Sequence, residues 1–89
     1  MSMSKRDLPR IFAEILDAII EETRVQCAVK ITRIQSKVYV PFDRFKEYLV
    51  EMREKGLLDE EGLKVTEKGL KYLEQYRLVK AFLVRFGLE

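Results

Sequence analysis

Between Arg24 and Lys46 the chain carries six cations, Arg24, Lys30, Arg33, Lys37, Arg44 and Lys46, and one acid, Asp43, a local charge of +5. Guanidinium and ammonium groups gathered in this way suit the neutralisation of phosphates or other anions. The rest of the reactive inventory is thin. There is no histidine, and Cys27 is the single cysteine. No Gly-rich phosphate loop, no nucleophile beside a base and no ligand set with metal spacing occurs. The sequence therefore argues against an enzyme and implies no cofactor, no metal site and no small-molecule ligand. Cys27 cannot form an internal disulfide and reads as a small core residue. Asp59, Glu60 and Glu61 lack the alternating spacing of a calcium loop and read as a solvated turn.

The opposite charge is concentrated downstream. From Glu47 to Glu67 seven acids, Glu47, Glu51, Glu54, Asp59, Glu60, Glu61 and Glu67, stand against Arg53, Lys55 and Lys64, a local charge of −4. Over all 89 residues the net charge is only +2, so general attraction to a polyanion is weak and the distribution of charge matters more than its total. Apolar residues make up 47% of the chain, enough for one core and one domain at this length. No apolar run approaches the roughly 20 residues of a membrane span, and the first residues lack the apolar stretch of a signal peptide. A cytoplasmic protein is expected. The absence of His and Asn beside abundant Lys, Arg and Glu is a bias of proteins from hot environments and suggests a thermophilic source.

Four helices must position these groups. Asp7 reads as a cap and Pro9 as a first-turn proline for a helix from about Leu8 to about Thr23, with Ile11, Phe12, Ile15, Leu16, Ile19 and Ile20 at helical spacing. A short second helix, about Ala28 to Gln35, places Ile31 and Ile34 on one side and Lys30, Arg33 and Lys37 away from them. Val38-Tyr39-Val40-Pro41 makes a turn, because proline disfavours helical geometry in the residue before it. Phe42, Phe45, Leu49 and Met52 then define a third helix that stops at Gly56. On its opposite side a 100° step per residue gathers Asp43, Glu47, Glu51 and Glu54. Leu57-Leu58 and Leu63-Lys64-Val65 form two short arms around the polar tip 59–62, the pattern of a small hairpin.

Thr66 caps a fourth helix that should reach about Phe86, with Gly87 as its stop. At 1.5 Å per residue such a helix is close to 30 Å long, more than a small domain needs. Tyr72, Tyr76, Val79, Leu83 and Phe86 step by four, three, four and three, and Leu78 and Phe82 lie beside them. These apolar positions either fold back onto the domain or pair with a second copy, and the length favours pairing. The order helix, helix, turn, helix, hairpin, helix is that of a winged helix-turn-helix. The expected fold class is mainly α (α+β), with a small two-stranded wing and a long C-terminal helix. Residues 1–7 read as an N-terminal tail, 8–71 as the winged-helix domain and 72–89 as the C-terminal half of the fourth helix, a dimerisation segment.

Thr32-Arg33-Ile34, Phe45-Lys46-Glu47-Tyr48-Leu49, Glu54-Lys55-Gly56-Leu57-Leu58 and Thr66-Glu67-Lys68-Gly69-Leu70 carry a resemblance that covers most of the chain. In their order and spacing it resembles the small archaeal winged helix-turn-helix family that includes the ten-kilodalton Sulfolobus chromatin proteins and the ArnR-like regulators. The resemblance implies a DNA-binding domain whose third helix is the recognition helix, and a dimer joined through antiparallel C-terminal helices. The chain departs from that pattern at Pro41, where relatives carry a serine-like cap, and Asp43 is expected to cap instead.

Two readings of the charged surface stand. In one, Lys30, Arg33, Lys37, Arg44 and Lys46 hold the phosphates of duplex DNA, with Tyr39 and Arg44 nearest the base edges and Lys64 as the wing's contact. Tyr72, Tyr76, Val79, Phe82, Leu83 and Phe86 then join a homodimer. In the other, the same cations are a solvated surface, Glu51 and Lys55 are an ordinary helix pair, and the domain is a protein-interaction module. The acidic face of the third helix favours the second reading, and the basic second helix favours the first.

Overall fold

The computed structural model describes residues 8–25 and 29–88. The expected Asp7 cap and the core position of Cys27 lie outside the described residues, and the second helix begins at Ile31, later than the expected Ala28, with Lys30 extended before it at φ −96°, ψ 132°. Four helices follow one another: α1 Leu8–Val25, α2 Ile31–Val38, α3 Phe42–Glu54 and α4 Glu67–Arg85. The three- and four-residue recurrence in α1 buries Ile11, Phe12, Ile15, Leu16 and Ile19 along one stripe, with Ala13 and Ala18 at its edges. Helix α2 runs to Val38, three residues past the expected Gln35, because the proline restricts only its immediate neighbour Val40.

The core is built where these helices cross. Ile15, Leu16 and Ile19 of α1, Ile34 of α2, Phe45 and Met52 of α3, Leu58 of the following loop and Leu73 of α4 are all fully buried. Burial of side chains of this size contributes about 1.5–3 kcal/mol each. The Phe12 ring meets Tyr48 edge-on, with centroids 6.1 Å apart.

The end of α3 and the start of α4 are joined by a compact set of caps. Gly56, at φ 78°, takes the left-handed position after the helix. Its N–H reaches Arg53 O at 3.0 Å and that of Leu57 reaches Met52 O at 2.9 Å, so α3 closes in a Schellman motif. Thr66 Oγ1 accepts the Gly69 N–H at 3.0 Å and donates to Gly56 O at 2.6 Å, which caps α4 and ties it to the end of α3. Gly69 has to be glycine here. A Cβ at this position would collide with the Leu57 carbonyl oxygen and come within 2.8 Å of Val65 Cγ1.

The expected two-stranded wing does not form, and the fold is helical among the described residues. Leu58 and Val65 make a single antiparallel bridge, supported by Asp59 N to Lys64 O at 2.9 Å and Thr66 N to Leu57 O at 3.2 Å. The reason lies in the arms. Leu57 and Leu58 are consecutive and both buried, whereas a strand sends neighbours to opposite faces. Gly56 and Thr66 belong to helix caps on either side, so neither arm has residues left to lengthen the ladder.

Candidate nucleic-acid interface

Helix α2 is amphipathic over only two turns, with Ile34 buried and Thr32, Arg33, Ser36 and Lys37 exposed. What fixes its outer face is a residue of α1. Glu22 is 2% exposed, and its carboxylate accepts a hydrogen bond from Arg33 Nε at 2.6 Å. Lys37 Nζ lies 3.7 Å from the same oxygen, Oε1. The Arg33 hydrogen bond, opposed by burial and aided by the charges of Arg33 and Lys37, holds the Glu22 carboxyl below its ordinary 4.5. Both cations remain about half exposed, at 54% for Arg33 and 45% for Lys37. Glu22 and the four outward residues of α2 line an open cleft of about 370 Å³.

Sequence reasoning missed Glu22, although a signal was there. It follows Ile15 by seven residues and Ile19 by three, so it continues the apolar stripe of α1 with a carboxylate. A buried acid needs a cationic partner, and α2 is the next element in the chain.

The turn between α2 and α3 is held by Gln35 Nε2, which donates to Val40 O at 2.6 Å while the Val40 side chain is buried. Tyr39 sits at φ 54°, ψ 41° with its side chain 91% exposed. A left-handed backbone on a non-glycine residue costs about 1–2 kcal/mol. The chain thus holds a tyrosine in solvent at a position that glycine would fill with less strain.

Helix α3 presents two kinds of surface. Its buried stripe is Phe45, Tyr48, Leu49 and Met52, so Phe42, expected in that stripe, is displaced by Tyr48 and stands 44% exposed. Lys46 Nζ lies 5.5 Å from the centre of the Phe42 ring, a cation–π contact that shades its first turn. Asp43 does not cap the helix. Pro41 is the N-cap residue without a side-chain bond, and Asp43 lies inside the first turn, where a negative charge favours the helix dipole. Asp43, Glu47 and Glu54 are exposed, as the helical spacing implies, and Glu51 pairs with Lys55 at 3.6 Å.

The structure therefore brings Arg33 and Lys37 together on one carboxylate and leaves the other expected contacts dispersed. Lys30 stands at the N-cap of α2, Arg44 is exposed in the first turn of α3, and Lys64 is exposed just after the 59–62 tip. A family model described as winged helix-turn-helix matches residues 5–83. The chain belongs to that family. No curated protein and no solved structure matches it.

In a winged helix-turn-helix protein, α2, the Tyr39 turn and α3 form the helix-turn-helix unit, and the 57–66 loop stands in the place of the wing. Helix α4 divides into two parts. Leu73 is buried, Tyr72 and Tyr76 stack half-buried with centroids 6.5 Å apart, and Tyr72 Oη donates to Pro9 O at 2.8 Å. Burial, reinforced by Tyr76, raises the Tyr72 hydroxyl above its usual value. Arg77 pairs with Asp17 of α1 at 2.8 Å. Beyond it Leu78, Val79, Phe82, Val84 and Phe86 are more than half exposed, and Leu83 is partly covered. Two of the six expected dimer contacts, Tyr72 and Tyr76, thus pack on the domain's own core. Among the described residues no helix is long and apolar enough to cross a membrane.

Proposed function

We propose that the chain binds duplex DNA as a homodimer, gripping phosphates with the outer face of α2 and approaching base edges from the Tyr39 turn and the first turn of α3. The observation that carries this reading is the pair of half-exposed cations, Arg33 and Lys37, anchored on buried Glu22 at the front of a helix-turn-helix unit. Lys30, Arg44 and Lys46 add phosphate contacts, Tyr39 and Arg44 lie nearest the bases, and Lys64 serves the 57–66 loop. The chain is a binding protein and not an enzyme, acting as a transcriptional regulator or a chromatin-associated protein. Its motif run supports kinship with the small archaeal branch of the family.

Dimerisation is supported by the part of α4 beyond Arg77. Val79, Phe82 and Phe86 are each more than half exposed, and the Phe82 and Phe86 rings touch at 4.9 Å between centroids. A second copy would cover them and double a modest basic surface, so that two sites act together through effective concentration. A second reading has its own support. The exposed side of α3, with Asp43, Glu47 and Glu54 beside Val50 at 52% exposure, suits a basic protein partner better than a phosphate backbone.

Titration of random-sequence duplex DNA at several salt concentrations separates the two. The expected result is binding that weakens steeply, with log K falling by about 0.9 per log unit of salt for each phosphate contact. No binding at low salt would select the protein-interaction reading. Sedimentation of the purified chain should give a dimer at high micromolar concentration and a monomer for Leu83→Glu; a monomeric wild type would remove the homodimer.

A further inference from the structure

We propose that Glu22 is the positioning residue of a phosphate seat on α2, in which Arg33 and Lys37 supply the charge and Thr32 and Ser36 the hydroxyls. The ligand is a backbone phosphodiester, so the proposal rests on the DNA reading above and names the group behind one of its contacts.

Thr32 and Ser36 are four residues apart, as are Arg33 and Lys37, so the two pairs form adjacent rows on the solvent side of α2. All four line the same open cleft as Glu22. The seat depends on which atom of Arg33 Glu22 takes. A guanidinium has five N–H donors, and Glu22 engages Nε at 2.6 Å, on the inner corner. Among the described residues the two Nη groups at the far end have no hydrogen-bond partner, and paired N–H groups match the two free oxygens of a phosphodiester. A phosphate therefore has no need to displace the carboxylate.

Lys37 is held more loosely. At 3.7 Å its ammonium is within ion-pair reach of Glu22 but beyond a good hydrogen bond, so it can swing toward the same phosphate. The cluster of two cations and one carboxylate carries a net charge of +1, which one phosphodiester balances. Arginine is long and loses rotamer freedom when it binds, and a buried carboxylate that fixes it beforehand removes part of that loss.

The sign of a single substitution tests this. Glu22→Ala raises the net charge by one, so on charge alone it should tighten DNA binding. With Glu22 as a positioning residue it should instead weaken binding to a random duplex by about threefold to tenfold and lower the salt slope by about one contact. Glu22→Gln keeps an oxygen for Arg33 Nε and should bind at least as tightly as wild type. A Glu22→Ala protein that is folded by circular dichroism and binds as tightly as wild type, or tighter, overturns the seat. If Glu22→Ala fails to fold, Arg33→Lys decides the question, because it retains the charge and loses the fork. Weakening of about threefold is expected, and wild-type affinity overturns the proposal. A wild-type chain that binds no duplex removes the DNA reading and the seat with it, whereas a binding wild type beside an unaffected Glu22→Ala removes the seat alone.

Discussion

Helices α2 and α3 are successive in the chain and share one core, yet they turn opposite charges to solvent. The inner side of α2 is Ile34 and that of α3 is Phe45, Leu49 and Met52. Outside, α2 offers Thr32, Arg33, Ser36 and Lys37, and α3 offers Asp43, Glu47, Glu54 and half-exposed Glu51. In a helix-turn-helix the second helix ordinarily enters the major groove and the first crosses the backbone. Acidic side chains along a groove-facing surface lose affinity unless they stay clear of phosphates. The exposed cations of α3, Arg44 and Lys46, lie in its first turns beside Asp43 and Glu47, so on the proposed reading its N-terminal end approaches DNA and Glu51 and Glu54 stay clear of it. The difference teaches that position in the motif does not assign the work done by each helix. On the proposed reading attraction to phosphate belongs to α2, where buried Glu22 holds Arg33 and Lys37.

The largest expected effect comes from removing that attraction while keeping the fold. Arg33→Gln combined with Lys37→Gln, made in the Glu22→Gln protein so that no unpaired carboxylate is left buried, removes both cations. Affinity for a random duplex should fall about a hundredfold at moderate salt, and the salt slope by about two contacts, in a fluorescence-anisotropy titration. A loss of less than about threefold would move the phosphate contacts away from α2. The same cluster makes a prediction for the free protein. Because the folded Glu22 carboxyl titrates below its unfolded value of 4.5, its pairing stabilises the fold above that pH and is lost as pH falls through the lower, folded value. Thermal melts of wild type and Glu22→Gln should therefore differ at pH 7 and converge in acid below pH 4.5. A gap that persists unchanged in acid would mean the carboxylate's charge has no part in it.

Tyr39, at the junction of the two helices, comes next in size. Glycine relieves the left-handed strain but gains more freedom in the unfolded chain, so Tyr39→Gly should raise stability by about 0.5 kcal/mol and the melting temperature by about 2–4 °C. Loss of the exposed ring should weaken DNA binding by about fivefold, the lower end of a base contact. Stability and affinity moving in opposite directions would show strain retained for contact. Unchanged affinity would leave the tyrosine without a role in DNA binding.

Much of this was legible from spacing. The recurrence of Ile11, Ile15 and Ile19 marks α1, the Gly56 stop marks the end of α3 and the Thr66 cap the start of α4, and the acids of α3 fall where a 100° step puts them. Local chemistry controls those features, so they are written locally. The wing was misjudged because its arms look alike in sequence whether they pair with each other or bury both leucines, and only the packing of Leu57 and Leu58 decides between the two. Tyr48 takes the buried place expected for Phe42 for a similar reason, since both lie within reach of the same stripe. Glu22 was missed because a carboxylate at the edge of an apolar stripe looks solvated until α2 delivers Arg33 to it, eleven residues later.

The smallest effect is the one that tests the acidic half of the contrast. Glu47→Gln with Glu54→Gln removes two negative charges from the exposed side of α3 without touching the core. If that side stays more than a Debye length from the phosphates, about 8 Å at 0.15 M salt, the substitutions act only through a screened field. Affinity for a random duplex should then tighten by less than about threefold, and the gain should fade as salt rises. A gain above about tenfold would place these glutamates against the backbone, with α3 lying along the groove and restrained by its own charge. In that outcome the chain would bind DNA weakly by design of its recognition helix, and α2 would serve to offset that repulsion.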